Sequence, residues 1–292
     1  MKKILFFLIF TTATLVFFAC QEKIQGCLDP NATNFDVAAD EACLKTSTSS
    51  GCPCRYPNLV LGADFKVAGK TKKGADTLYN WNGNYPLTNA ANQTYFFKTV
   101  ALYISDIQLI RANNDVVNTI DSLVIPLKKS AIDTPNVKVR KDFTLLNSNN
   151  FNYNIGAFSQ NGVFTKIKFK FGLQNPVNQA STLNKRKIPN DNSLNIDSLY
   201  LKNTFEHFTG AINYQADTSK AGKVAFFKFQ KTMDMELALP TNIVFSKGYD
   251  VRVRLLIDFS QWFSDVDFKK DTPAQIQQKV LANMGKGWKV GA

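Results

Sequence analysis

The stretch Ile167-Lys168-Phe169-Lys170-Phe171 decides the fold. Its apolar residues recur every second position and its lysines fill the positions between. A period of two places one set of side chains on each face of an extended strand, so this segment reads as a β-strand with one dry and one wet face. The same alternation runs through Leu59-x-Leu61, Phe65-x-Val67, Val100-x-Leu102-x-Ile104 and Ile107-x-Leu109. It returns in Val224 to Phe229, Glu236 to Leu239 and Val251-Arg252-Val253-Arg254-Leu255. Asn, Asp, Gly and Ser dominate the stretches between, as turns require. Roughly eight to ten strands are expected. One helix is predicted from Thr272-Pro273, with Thr as cap and Pro at the first helical position, Ile276, Val280, Leu281 and Met284 on one face and Gly285 as its stop. Phe259 to Phe263 reads as a shorter turn. The predicted class is all-β, an antiparallel β-sandwich with a short C-terminal helix.

The chain has 292 residues, 45% of them hydrophobic and 20% charged. That is enough to bury a real core, and it excludes a disordered, collagen-like or polytopic membrane protein. Its formal net charge is +12. Much of this charge sits on alternate strand positions such as Lys166, Lys168 and Lys170, or Arg252 and Arg254, the pattern of a solvated sheet face. The 24 phenylalanines mostly alternate inward, so nucleic acid is not an expected partner. There is one histidine, His207, and there are five cysteines. A multi-histidine metal site, a zincin helix and any mechanism needing a second histidine are therefore excluded within one chain. No Gly-x-Ser-x-Gly elbow, P-loop or G-x-G-x-x-G occurs. Asp106, Asp258 and Glu206 are scattered along the chain. No catalytic set emerges, and the expectation is a protein that is not an enzyme.

The N-terminus reads as an address. Met1-Lys2-Lys3 precedes an apolar run from Ile4 to Phe18, of signal-peptide length and too short for a spanning helix. Phe17-Phe18-Ala19-Cys20 resembles a bacterial lipobox, which implies a signal peptide over 1–19, lipidation at Cys20 and a membrane anchor. The competing reading is an ordinary signal peptide cleaved near Ala19. Loss of Lys2 and Lys3 with the leader lowers the formal charge from +12 to +10.

Four cysteines remain within a short stretch of an exported chain: Cys27, Cys43, Cys52 and Cys54. An oxidising compartment favours disulfides, with three pairings open. Cys52-Pro53-Cys54 is too tight for an easy mutual bridge, so each of these cysteines is expected to pair outward to Cys27 or Cys43. The competing reading is a four-thiolate zinc site, which the spacing of Cys27 and Cys43 disfavours. Gly26-Cys27-x-Asp29-Pro30-x-Ala32-x-Asn34-Phe35, then Asp40-Glu41 and Cys54-x-Tyr56-Pro57, resembles a short cysteine motif of Bacteroidota surface proteins. Asp29, Asn31, Asn34, Asp36 and Asp40 carry oxygens suited to calcium. The spacing is not that of an EF-hand, and an Asx-rich turn region with self-bonded side chains is the favoured reading. The predicted organisation is signal peptide 1–19, lipid-anchored Cys-rich segment 20–57 and β-sandwich domain 58–292.

The body carries a more specific pattern. Phe65-x-Val67-x-Gly69, Tyr79-Asn80-x-x-Gly83-x-Tyr85 and Leu102-Tyr103-Ile104-Ser105-Asp106-Ile107-x-Leu109 open it. Gly156, the strand Phe164 to Gly172 with Leu173-x-Asn175-Pro176, and Ile257-Asp258-Phe259-x-x-Trp262-Phe263 follow. Together these resemble the MbnP-like domains, exported β domains carried by many Bacteroidota lipoproteins. Some members bind copper through histidine, methionine and a tryptophan-derived ligand. The resemblance implies a lipoprotein of the outer membrane, facing the periplasm or the cell surface, that acts as a copper-associated binding module beside a partner protein of a metal-handling or surface system. Where the family often has Trp-x-Trp before Gly-Tyr, this chain has Phe205-Glu206-His207-Phe208-Thr209-Gly210, and Lys228 stands where a strand histidine is expected. The candidate metal ligands are His207, Met233 and Met235. Met233-x-Met235 on a strand puts two thioethers on one face, suited to soft Cu(I). The competing and favoured reading has a satisfied histidine and core-filling methionines. A glycan-binding or adhesion module, using basic faces and exposed aromatics such as Trp81 or Trp288, is the alternative function. Asp76-Thr77-Leu78, Asp121-Ser122-Leu123 and Asp197-Ser198-Leu199 match a bacterial O-glycosylation pattern or plain turn chemistry.

Overall fold

The computed structural model describes residues 23–43, 52–70, 76–81, 86–127, 135–147, 152–158, 162–180, 193–194, 200–201, 204–214, 222–245 and 249–291. The leader, Cys20, the stretch Lys185-Arg186-Lys187 and Asp197-Ser198-Leu199 lie outside these residues. The chain forms two compact units, Met1–Tyr56 and Pro57–Ala292. Among the described residues no helix is long and apolar enough to cross a membrane.

The first unit holds one small parallel pair, β1 (Gln25–Gly26) with β2 (Glu41–Ala42). Two disulfides close it, Cys27–Cys54 and Cys43–Cys52. Each cysteine of the Cys-Pro-Cys stretch pairs outward, and all four sulfurs of the alternative zinc set are spent. The oxygens suited to calcium are engaged locally. Asp29 accepts from the Asn31 amide at 2.9 Å and from the Tyr56 hydroxyl at 2.6 Å. Those hydrogen bonds, Tyr56 first, hold its carboxyl below the usual range. Asn34 bridges to Arg55 and Pro53, Asp36 accepts from Ala38, and Asp40 accepts from Ile24. The contacts of Asp29 with Asn31 and of Asp36 with Ala38 are Asx turns, and the others tie together residues distant in sequence.

The second unit is built from two sheets enclosing a shared core. The larger runs in the order β16 (Lys223–Phe229), β15 (Phe208–Tyr214), β6 (Thr94–Arg111), β12 (Gly162–Phe171), β17 (Met233–Phe245). Three short strands, β5 (Leu87–Thr88), β7 (Val116–Asn118) and β10 (Thr144–Asn147), also pair with β6. The smaller runs β11 (Asn152–Ala157), β3 (Asn58–Lys70), β18 (Val251–Asp258), β19 (Trp288–Gly291), with β4 (Asp76–Asn80) also on β3. Two hairpins complete the set, β8 (Ser122–Pro126) with β9 (Asn136–Arg140), and β13 (Tyr200–Leu201) with β14 (Thr204–Phe205). The class is all-β with one C-terminal helix, as the alternation predicts. Pairing is antiparallel throughout the two large sheets except for β3 with β18, which are parallel. Alternation fixes which face a residue takes but not strand direction, and these two strands lie at opposite ends of the domain sequence, so no tight turn dictates their sense.

Ile167, Phe169 and Phe171 enter the core with Leu59, Leu61, Phe65, Val253, Leu255 and Ile257 from the opposite sheet. The lysines of β12 lie on the wet face, where Lys166 pairs with Glu236 at 2.7 Å and Lys170 with Asp234 at 2.6 Å. The separate runs Val100–Ile104 and Ile107–Leu109 belong to one long strand, β6. Its inward phase passes from Tyr95 and Phe97 to Val100, Leu102 and Ile104, then to Ile107 and Leu109. Each change coincides with a slip in pairing, first at Lys98 and then between Ser105 and Gln108. A bulge inserts one residue and moves the following side chains to the other face. Tyr103 is buried on the opposite side of β6, in a second core with Ile125, Val139, Phe143, Leu145 and Leu173.

The helix, α1, spans Pro273–Asn283. Thr272 and Gln275 form a reciprocal capping box, and Ile276 and Val280 are buried in the core. Met284 supplies the C-cap one residue before Gly285. Trp288 is not an exposed aromatic: it is buried against Phe169, and its indole N–H donates to the Met284 carbonyl at 2.7 Å. Trp81 is half-buried, its N–H held by the Phe97 carbonyl. Both rings follow the apolar surface under them, which the sequence beside them does not reveal.

Candidate functional site

A short connection organises one end of the large sheet. β16 and β17 stand at opposite edges, yet only Gln230, Lys231 and Thr232 join them. Four peptide steps reach at most about 14 Å, while four inter-strand gaps of a flat sheet need about 19 Å. The sheet must therefore curl here, and the connection crosses its end. Three segments meet beneath this crossing: Lys231 itself, Gly172 at the end of β12, and His207 just before β15.

Gly172 makes the meeting possible. It has φ +88°, and a Cβ added there would stand 2.5 Å from His207 Nδ1 and 2.7 Å from the Lys231 carbonyl. Only a residue without a side chain fits both the backbone and the space. Gly172 is fixed by its own hydrogen bonds: its N–H donates to the Tyr103 carbonyl at 2.7 Å, and its carbonyl accepts from Ser105 Oγ at 2.7 Å. Tyr103 N–H in turn donates to the His207 carbonyl at 2.9 Å.

The imidazole is 4% exposed. Its Nδ1 lies 3.0 Å from the Lys231 carbonyl oxygen. A carbonyl only accepts, so Nδ1 carries the proton and Nε2 presents a lone pair. Nε2 is buried and, among the described residues, has no hydrogen-bond partner. Burial pushes the imidazole pKa below its ordinary 6.5, and the Lys231 carbonyl offsets this in part. The ring is thus held neutral, in one tautomer, with one unspent lone pair. A backbone carbonyl fixing one nitrogen while the other stays available is the arrangement found at histidines that bind metals.

The methionines are placed less directly. Met233 pairs with Phe171, two residues beyond the carbonyl that holds His207. It is half-buried, with its sulfur against Gly285 after α1. Met235 pairs with Phe169 and is buried in the main core. Both side chains share the inward face, as Met233-x-Met235 predicts, and Asp234 between them pairs with Lys170 at the surface. His207 and Met233 thus lie near the same sheet end, while Met235 sits deeper among core residues. Each tryptophan spends its indole N–H on a carbonyl: Trp81 on Phe97, Trp262 on Lys286 and Trp288 on Met284. Lys228 is exposed on edge strand β16. Among the described residues no three His, Cys, Asp or Glu side chains cluster as a metal group. The lone histidine was legible in sequence. The carbonyl that sets its tautomer was not, because it comes from a connection whose path only the curled sheet defines.

Comparison with known proteins places the chain in a family. No curated protein matches the chain. A solved structure, MbnP from Methylosinus trichosporium, is similar at 12% identity over 80% of this chain and 98% of that one, with a TM-score of 0.41. The family model described as MbnP matches residues 63–280, well over half of the sequence, and the chain belongs to the MbnP family.

Proposed function

We propose that this protein is a non-enzymatic binding module associated with copper, carried by a lipid anchor at Cys20 on the bacterial outer membrane, and that His207 is its principal metal ligand. The observation that carries this reading is the buried, unpartnered Nε2 lone pair, on an imidazole held neutral by burial and oriented by the Lys231 carbonyl. An unsatisfied polar atom in the interior costs about 1–3 kcal/mol, and a bound soft cation would remove that cost. Met233, near the same sheet end, is the second ligand, and Met235 supports it from the core. Copper bound there would bring a soft Lewis acid to the end of the sheet. The protein's own residues orient the imidazole and exclude water from it. Family membership supports the copper association. The Phe205–Gly210 stretch supplies no tryptophan, so the ligand set differs from the family's tryptophan-containing one.

The test is anaerobic Cu(I) competition with a chromophoric chelator. The wild-type protein binds Cu(I), and His207→Ala and Met233→Ala each weaken binding at least tenfold while keeping the metal-free melting curve cooperative. Full affinity in both variants removes these residues from the reading. Metabolic lipid labelling, lost in Cys20→Ala, tests the anchor.

A further inference from the structure

A second site shares no lining residue with the histidine junction. Where the β8–β9 hairpin and the segment after β12 cover β6, three chain segments enclose a cavity of about 290 Å³. Ser105 and Asp106 come from β6, Lys138, Val139 and Arg140 from β9 with Asp142 just beyond it, and Gln174 to Val177 from the turn after β12. The second β6 bulge lies at its wall. Asp106 takes φ +52°, an uncommon conformation for any residue but glycine. Bulges re-aim side chains and gather beside functional sites. Here Asp106 is brought within 3.6 Å of Arg140 Nη2 and accepts from Gln108 at 3.1 Å. Arg140 Nε donates to Asp142 at 2.9 Å. One guanidinium therefore spans two carboxylates and holds both at the cavity wall. Lys138 stands exposed, and among the described residues it has no hydrogen-bond or ion-pair partner. Gln174 and Asn175 add amide donors and acceptors.

This lining has a definite preference. The formal charges of the lining balance, Lys138 and Arg140 against Asp106 and Asp142, and the donors left outward are the Lys138 ammonium and the outer edge of Arg140, which suit a carboxylate. The two aspartates and the amides suit hydroxyl groups. The lining contains no aromatic platform, so a neutral sugar would have little to stack on. The volume is at the small end of ligand sites, about 300 Å³. We propose that this cavity binds a small hydroxy-carboxylate of monosaccharide size, of the uronic acid class, with Lys138 and Arg140 taking the carboxylate and Asp106 and the Gln174 amide taking hydroxyls. The site is independent of the copper reading and shares no ligand side chain with it.

Binding should strengthen in mild acid. Burial pushes the Asp142 carboxyl up to about 6, with Arg140 opposing and Asp106 adding to the shift. Below that pH the wall loses a negative charge while Lys138 and Arg140 keep theirs. Lys170, the other nearby cation, stays paired with Asp234. The test is calorimetric titration of the full-length protein in detergent with D-glucuronate, against D-glucose and inorganic phosphate. The expected result is saturable glucuronate binding at about 1 mM or tighter, stronger at pH 5.5 than at pH 7.5. Lys138→Glu and Gln174→Ala should each weaken it, the first at least tenfold, with unchanged melting curves. Glucose should not bind, and phosphate should bind at least tenfold more weakly than glucuronate. No saturable binding by 10 mM, equal binding of glucose or phosphate, or full affinity in Lys138→Glu overturns the proposal.

Discussion

Gly172→Ala is the most incisive perturbation of the sheet end that seats His207. The new methyl carbon would meet His207 Nδ1 at 2.5 Å and the Lys231 carbonyl at 2.7 Å, on a backbone at φ +88°. The left-handed backbone alone costs about 1–2 kcal/mol for a residue with a Cβ. Overpacking against a backbone carbonyl, which cannot swing aside as a side chain does, adds about 1–3 kcal/mol. The expected destabilisation is about 2–5 kcal/mol. For a domain of this size that lowers Tm by roughly 2–4 °C per kcal/mol, which a melting or urea curve reads easily. Relief requires the imidazole to leave the Lys231 carbonyl, so the histidine resonances should broaden or shift as well. Gly285→Ala is the control. Its Cβ would lie 3.4 Å from the Met233 sulfur, an ordinary contact, and Gly285 is not in the left-handed region. It should change stability by less than about 1 kcal/mol. If Gly172→Ala is no more costly than Gly285→Ala, the crowded junction at Lys231 is not as described.

Other outcomes follow from the same structure. Disulfide loss in the first unit should scale with loop length: Cys27–Cys54 closes a separation of 27 residues and Cys43–Cys52 one of 9. Chain-entropy arithmetic gives about 3.5 and 2.6 kcal/mol, and hydrogen exchange of residues 23–43 should rise more in Cys54→Ser than in Cys43→Ser. The two perturbed groups of the second unit bend stability against pH in opposite senses. Asp142, raised from 3.8 to about 6, makes the native state bind the extra proton between those values, so its stabilisation is present at low pH and is lost as pH rises through 6. Removing it with Asp142→Asn should flatten that part of the denaturation profile by about 2–3 kcal/mol, and an unchanged slope contradicts the assignment. His207 is lowered from 6.5, so the unfolded chain takes that proton first and stability falls as pH drops below 6.5. His207→Gln should remove that fall. Trp262→Ala should cost about 3–5 kcal/mol, since the ring is fully buried against Phe97, Phe208 and Phe259.

How much was readable in advance depends on whether the determinant is local. Ile167–Phe171 announces its strand because its two faces meet different solvents, and Thr272-Pro273 announces the helix because capping is chemistry between near neighbours. The bulge in β6 was also present in the sequence. Ile104 and Ile107 differ by an odd step, and one continuous strand can keep both inward only by inserting a residue. The parallel pairing of β3 with β18 left no such trace. Nor did the second core around Tyr103, because the outer face of β6 looks like any wet face until Leu173 and the β8–β9 hairpin cover it. The cavity around Arg140 was hidden for the same reason: Asp106, Asp142 and Gln174 are joined by topology and not by spacing. His207 stood out as a residue. Its tautomer, its burial and its open nitrogen are properties of the fold around Gly172.

Because His207 is the only histidine in the chain, two-dimensional ¹H–¹⁵N spectra of its imidazole test the central claim without assignment ambiguity. The measurement is a pH series of the untagged protein, followed by addition of Cu(I) under anaerobic conditions. The account predicts the Nδ1–H tautomer, a neutral ring persisting below pH 6.5, and a metal-induced shift at Nε2. An Nε2–H tautomer, an ordinary pKa, or an Nε2 signal unmoved by Cu(I) would contradict it.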